Sequence, residues 1–252
     1  MFSERELDRY KRQVMLFGEE GQERLKKAHI FVAGAGGLGS SISIYLAVAG
    51  VGTITIVDMD VVDQTNLNRQ ILHFDRDVGR KKTASAEEKL QALNPDITIN
   101  AIDVRIEESN AANLIGRADG IVDAMDNYPT RYLLNDVAIA KEIPLFHGGI
   151  RGFYGQATTI IPGTTPCLKC IFPKAPPKEV FPVVGVTPGI IGTIQANEVI
   201  KYLTGSGRLL TGRLFIWDGM EAHAEELCVE RNPACEACKS MTPTKTIARK
   251  NS

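Results

Sequence analysis

Apolar residues along this chain gather into short unbroken runs, and the stretches between them repeat their apolar positions at helical spacing. Residues 4–17 and 19–27 are charged and helical in pattern. Residues 30–33 read as a buried strand, 38–49 as a helix, and 53–57 as the next strand, which ends in Asp58. A polar stretch over 58–82 leads into a helix over 83–93, and Asn94-Pro95 stops it because proline cannot continue a helix. A strand over 97–102 follows, then a short helix over 109–115 with Ser109 as its N-cap, a strand over 120–123, and a proline-started helix over 129–141. Strands that alternate with helices predict an α/β fold on a doubly wound, Rossmann-like, mostly parallel sheet.

Beyond that point the pattern changes. Residues 144–151 and 156–161 are strand-like and joined by a glycine-containing turn. Residues 167–188 are proline-rich and irregular, 190–203 form an apolar helix, and 213–218 with 222–227 form a hairpin around Gly219. The uncharged run over 30–57 is long enough to suggest a membrane span, but glycine, serine and threonine divide it into strand, turn, helix and strand. No internal repeat is visible.

Composition narrows the picture. A chain of 252 residues with 44% hydrophobic and 23% charged residues suits one large α/β domain or two small ones. A net charge of −1 offers no general attraction to nucleic acid or membrane, so neither is expected as a partner. The N-terminus is charged, with no apolar core, and does not read as a secretion signal. Of the 5 cysteines, only Cys228 falls outside the pairs Cys167/Cys170 and Cys235/Cys238. Each Cys-x-x-Cys pair can bind one side of a tetrahedral Zn²⁺, and two pairs close a Cys₄ site with no open position for catalysis. A redox dithiol is the weaker reading of two such pairs. The pairs must then meet in space, and their thiolates suit a cytoplasmic address. The expected organisation is an N-terminal helical arm (1–28), a nucleotide-binding Rossmann-like region (29–161), a zinc-stapled, partner-facing antiparallel and irregular region of the same fold (162–240), and a disordered tail (241–252).

The candidate chemistry lies before the cysteines. In Gly34-Ala35-Gly36-Gly37-Leu38-Gly39, the glycines Gly34, Gly36 and Gly39 fit G-x-G-x-x-G between a strand and a helix. That arrangement allows a tight turn, close approach of backbone to phosphate, and an anion at the helix N-terminus. Asp58 ends the next strand, where a carboxylate can bind ribose hydroxyls. Asn66-Leu67-Asn68-Arg69-Gln70 is strongly polar, and Arg69 and Lys82 could clamp a polyphosphate, although on charge alone they read as ordinary surface residues. Asp126 follows a strand end and could hold Mg²⁺ on phosphates, or it could cap the next helix; Asn127 could do the capping instead. Arg12 reads locally as part of a charged helix face, and His29, His73, His147 and His223 show no metal-binding spacing.

The ordered set Arg-Tyr-x-Arg-Gln, G-x-G-x-x-G, Asp-x-Asp, Asn-Leu-x-Arg-Gln, Gly-x-x-Lys, Asp-Asn and two Cys-x-x-Cys pairs resembles the ThiF/MoeB/HesA family, relatives of the ubiquitin-activating enzymes. The resemblance runs from about residue 5 to residue 238. It implies an ATP-dependent adenylyltransferase acting on a small ubiquitin-like sulfur carrier that ends in Gly-Gly, in molybdopterin or thiamine biosynthesis. Gly34, Gly36, Gly37 and Gly39 would form the nucleotide loop, and Asp58 would hold the ribose. Asn66, Arg69 and Lys82 would contact phosphates, Asp126 would hold Mg²⁺, and Arg12 would be supplied across a homodimer to the partner's ATP.

One departure stands out. Several relatives carry a cysteine in the irregular loop, but Phe181 stands about there in Val180-Phe181-Pro182-Val183-Val184-Gly185-Val186. Adenylation without covalent thiol chemistry is therefore expected, with sulfur coming from a separate donor. A tRNA threonylcarbamoyladenosine dehydratase-like enzyme is the runner-up. An NAD-dependent oxidoreductase would also fit the glycine loop and Asp58, but the chain has no Tyr-x-x-x-Lys pair.

Overall fold

The computed structural model describes residues 2–176 and 181–241. Residues 177–180 and most of the expected disordered tail, 242–252, lie outside the described residues. Five strands pair in parallel: β1 (His29–Ala33), β2 (Thr53–Val57), β3 (Thr98–Ile102), β4 (Gly120–Asp123) and β5 (Leu145–Arg151). Three antiparallel strands extend the sheet: β6 (Tyr154–Ile160), β7 (Arg213–Asp218) and β8 (His223–Cys228). The spatial order is β3-β2-β1-β4-β5-β6-β7-β8, so the strand order reverses between β1 and β4.

Among the described residues, seven α-helices accompany the strands: α1 (Glu4–Lys27), α2 (Gly37–Ala49), α3 (Lys82–Leu93), α4 (Ala111–Ile115), α5 (Tyr128–Lys141), α6 (Leu168–Ile171) and α7 (Val186–Thr204). Alternate residues of one strand serve opposite faces of the sheet. Ile30 and Val32 of β1, with Ile54 and Ile56 of β2, pack against Leu25 of α1, Ile42 and Leu46 of α2, Leu90 of α3 and Val199 of α7. Phe31 and Ala33 of β1, with Ile121 of β4, pack instead against Ile115 of α4, Leu134 of α5 and Leu168 of α6. Strands β1, β2 and β4 are thus buried on both faces, which is why they read in sequence as mostly apolar runs, while the edge strand β3 exposes Thr98 and Asn100.

The N-terminal arm bends where the charged pattern broke. Phe17 and Gly18 leave helical geometry, with Gly18 at φ +71°, a left-handed value that suits glycine. Asn94 ends α3 and is fully buried; its amide donates to the Tyr10 hydroxyl at 2.8 Å and to the Ala47 carbonyl at 2.7 Å, tying the arm to α2.

Two expectations about element ends are corrected. The N-cap of α4 is Asn110, not Ser109, and the Asn110 side chain bridges the preceding loop by accepting from the Glu107 N–H and donating to the Arg105 carbonyl. The stretch over 167–188 is not irregular throughout, since α6 lies within it and α7 begins at Val186 rather than at 190. Pro188 sits in the first turn of α7, where the N–H groups have no intrahelical partner, so a missing donor costs little.

Within the polar crossover from β2 to α3, Asp77 is fully buried. It accepts from Lys89 Nζ at 2.5 Å, Arg80 Nη1 at 2.6 Å and the Phe74 N–H at 2.8 Å. Burial alone would raise its pKa, but these three donors outweigh it and hold the carboxyl well below the usual range. The depressed pKa means that this stabilisation is complete above the ordinary carboxylate value of about 4 and is lost as the pH falls below it. Asp77→Asn leaves the Lys89 charge buried without its counterion and is expected to cost about 3–5 kcal/mol in a denaturant titration at neutral pH. The variant's stability should also fall less steeply than the parent's as the pH drops below about 4.

Candidate active site

The C-terminal ends of β1, β2 and β4 converge where the strand order reverses, the position at which open α/β sheets bind ligands. Gly34 leaves β1 at φ +104°, and a Cβ there would lie 2.8 Å from the Ala124 carbonyl oxygen. A Cβ at Gly39 would lie 2.0 Å from the Gly34 oxygen, so α2 can start this close to β1 only with glycine at 39. Gly36 is the N-cap of α2 and has no side-chain cap, and Gly37 is the first helical residue. The first-turn N–H groups are left for an anion, with the helix dipole behind them.

Asp58 is half-buried beside this turn. Its Oδ2 accepts the Ala35 N–H at 2.8 Å and its Oδ1 accepts the Asp60 N–H at 2.9 Å. Each oxygen keeps a further lone pair for a hydroxyl. Lys82, largely buried at the start of α3, donates to Asp60 Oδ2 at 2.9 Å, which links the Asp-x-Asp segment to the lysine. The Asn66–Gln70 segment folds back over the glycine turn: a Cβ at Gly37 would lie 3.4 Å from the Arg69 oxygen, and one at Gly36 would lie 3.7 Å from Gln70 Nε2. Asn66 Oδ1 accepts the Asp63 N–H, and Arg69 Nη1 donates to the Thr65 carbonyl at 2.9 Å and to Asn68 Oδ1 at 3.0 Å.

On the other side of the crevice, Asp126 is exposed just past β4, and its nearest side-chain partner is the Asn127 amide at 3.4 Å. Asn127 is the N-cap of α5 and accepts the Thr130 N–H at 3.0 Å. Capping therefore falls to Asn127, and the Asp126 carboxylate is open to a hard cation. A group that the sequence did not single out holds the turn between them. Asp123 Oδ1 accepts the Met125 N–H at 3.1 Å, and Arg131 Nη2 donates to the Met125 carbonyl at 2.6 Å and the Gly148 carbonyl at 3.1 Å. His147 Nδ1 meets Asp123 Oδ2 at 2.7 Å, both side chains fully buried. Burial lowers the His147 pKa, although Asp123 opposes the shift.

Arg12 is not part of this cluster within one chain. It is exposed on α1, whose neighbouring Gln13 bonds to the Ala49 carbonyl at the far end of α2. The 13 residues of α2 separate that end from the glycine turn by roughly 20 Å.

The cysteine pairs do meet. Sγ atoms of Cys167, Cys170, Cys235 and Cys238 lie within 4.8 Å of one another. Three edges measure 3.8 Å (Cys167 to Cys170), 3.7 Å (Cys167 to Cys235) and 3.5 Å (Cys170 to Cys238). A tetrahedron with Zn–S bonds of about 2.3 Å has edges of about 3.8 Å, so the donors fit that ion. Asn135 of α5 accepts the Leu168 N–H at 2.8 Å and seats the first pair. Cys228 is exposed on β8, outside the cluster.

The ThiF family model matches residues 10–237. Over 241 residues the chain is 45% identical to the "SAMP-activating enzyme E1" of Haloferax volcanii, covering 92% of this chain and 89% of that protein. Over 250 residues it is 44% identical to the "Sulfur carrier protein adenylyltransferase" of Thermus thermophilus, covering 94% and 92%. The crystal structure of E. coli MccB with ATP has a TM-score of 0.81 at 23% identity, covering 92% of this chain and 74% of that one, a likeness of fold. The chain belongs to the ThiF family and is an adenylyltransferase.

Proposed function

We propose that this chain uses ATP and Mg²⁺ to adenylylate the C-terminal Gly-Gly carboxylate of a small ubiquitin-like sulfur carrier, in molybdopterin or thiamine biosynthesis and in the cytoplasm. The observation that carries this reading is the uncapped N-terminus of α2 beside Asp58, with Lys82 tied to Asp60 and the Asp126 carboxylate open just past β4. In the reaction, a carboxylate oxygen of the carrier attacks the α-phosphorus and pyrophosphate leaves, giving a carrier acyl-adenylate. The nucleophile is already ionised, so no proton need move, and the work left to the enzyme is alignment and neutralisation of phosphate charge. Gly34, Gly36, Gly37 and Gly39 shape the loop whose N–H groups meet phosphate, and Asp58 holds the ribose. Asn66, Arg69 and Lys82 bind phosphates, with Lys82 oriented by Asp60. Asp126 would hold Mg²⁺, which supplies further positive charge at the phosphates when bound.

Arg12 completes the site of the partner in a homodimer. Its remoteness from its own crevice supports this assignment. So does the apolar surface nearby, where Met15 and Leu16 are 79% and 81% exposed on α1 and Tyr45 and Val48 are exposed on α2. The four cysteines hold a structural Zn²⁺. Phe181, in the segment before α7, takes the place of a loop nucleophile, so the carrier is not linked to this chain through a thiol.

ATP–pyrophosphate exchange with a Gly-Gly-ended carrier tests the reading, and tight NAD binding without ATP binding would sink it. Asp126→Ala is expected to reduce exchange by about 100-fold or more without changing Tm, because the side chain is exposed. Arg12→Ala should be equally inactive alone. Mixed with Asp126→Ala, it should regain about a quarter of parental activity, the share of sites that random dimer exchange makes whole. No recovery after confirmed exchange would place Arg12 elsewhere. Elemental analysis should find one zinc per chain, and Cys235→Ser should lose the metal and lower Tm by about 5 °C or more.

A further inference from the structure

The nucleotide loop is held from inside the protein by a histidine. Ala35 is fully buried at the centre of the glycine turn, and both of its peptide groups are engaged. Its N–H donates to Asp58 Oδ2 at 2.8 Å, and its carbonyl meets His73 Nε2 at 2.9 Å. His73 is itself buried in the polar crossover that follows Arg69. Its Nδ1 lies 2.9 Å from Ser85 Oγ, which receives Lys89 Nζ at 2.7 Å, and Lys89 is paired with Asp77 at 2.5 Å.

This chain of contacts dictates one protonation pattern. A carbonyl can only accept, so His73 Nε2 carries hydrogen and Nδ1 is the acceptor. Ser85 Oγ accepts from Lys89, which leaves the serine hydrogen for Nδ1. Burial pushes the His73 pKa down, and the positive charges of Lys89 and Lys82 act in the same direction, against the Ala35 carbonyl and Asp77; the neutral ring is the resting form.

The consequence falls on the next residue. In a trans peptide the C=O and the following N–H point in opposite directions. Drawing the Ala35 carbonyl toward His73 therefore turns the Gly36 N–H away from the protein interior. Glycine at 36 offers this peptide little resistance to rotation, so its orientation must be enforced by a partner. We infer that His73 is a positioning residue for the nucleotide loop: its Nε2–H holds the Ala35 carbonyl and thereby aims the Gly36 N–H at bound phosphate.

This inference rests on the ATP reading above, and the experiment separates the two. His73→Gln can place an amide N–H near the Nε2 position, whereas His73→Asn reaches only the Nδ1 position and loses the Ala35 bond. ATP and adenosine are titrated against the parent and both variants. His73→Asn is expected to weaken ATP roughly tenfold and adenosine by no more than about threefold, with His73→Gln recovering most of the ATP affinity. A general loosening of the fold would weaken both ligands alike and would not distinguish Asn from Gln. An unchanged ATP-to-adenosine ratio in His73→Asn, or equal loss in the two variants, overturns the inference while leaving the ATP reading intact. A parent protein that binds no ATP overturns both. In the unmodified protein, ¹⁵N-histidine NMR should show His73 as the neutral Nε2–H tautomer, and an Nδ1–H tautomer would also overturn the inference.

Discussion

The need to cover a parallel sheet on both faces organises this molecule. Strands β1 and β4 lie side by side, with Ala33 opposite Asp123. The chain leaving β1 turns to the face that α2 and α7 cover, while the chain leaving β4 turns to the face that α4 and α5 cover. Two backbones diverging from adjacent strand ends leave a crevice between them. Its walls are backbone and polar side chains, because the apolar residues of both strands are already spent on the two cores.

That geometry explains the division of labour around the crevice. The wall from β1 and β2 carries the glycine turn, Asp58 and Lys82, and the wall from β4 carries Asp126. Behind each wall stands a buried polar group that holds backbone rather than facing the crevice. His73 holds Ala35 on one side, while Asp123 and Arg131 hold Met125 on the other. A flexible glycine turn and a short strand-to-helix turn have too few contacts of their own to keep one orientation, and buried hydrogen bonds that would be costly to leave unmade give them one. The Asp77–Lys89 pair sits at the root of the first set, so an ion pair that looks purely structural is joined to the loop through Ser85 and His73.

The antiparallel half is organised differently. After β6 the strands pair antiparallel, and among the described residues of 161–176 the only α-helix is the short α6. The cysteine cluster joins the start of that stretch to the segment after β8, and Asn135 anchors it to α5. The staple is continuous with the second core, which includes Cys167, Leu168, Cys235 and Cys238.

Much of this was legible in the chain. Continuous apolar runs gave away the doubly buried strands, the glycines at 34, 36 and 39 marked the turn, and the spacing of the cysteines foretold their meeting, because each pattern is the direct imprint of a local geometric demand. The helix starts at Ala111 and Val186 carry no side-chain cap, so cap-forming residue types such as Ser109 do not mark them. His73, His147, Asp123 and Arg131 carried no local signature, and Arg12 looked like any charged helix residue. What those residues do follows from segments far apart in sequence being packed together, where burial makes one hydrogen bond decisive. The sequence by itself determined the sheet, the glycine turn and the cysteine set. Only the tertiary structure decided which polar groups face the crevice and which hold its walls from behind, because that choice is made by burial, and burial is a property of the packed chain.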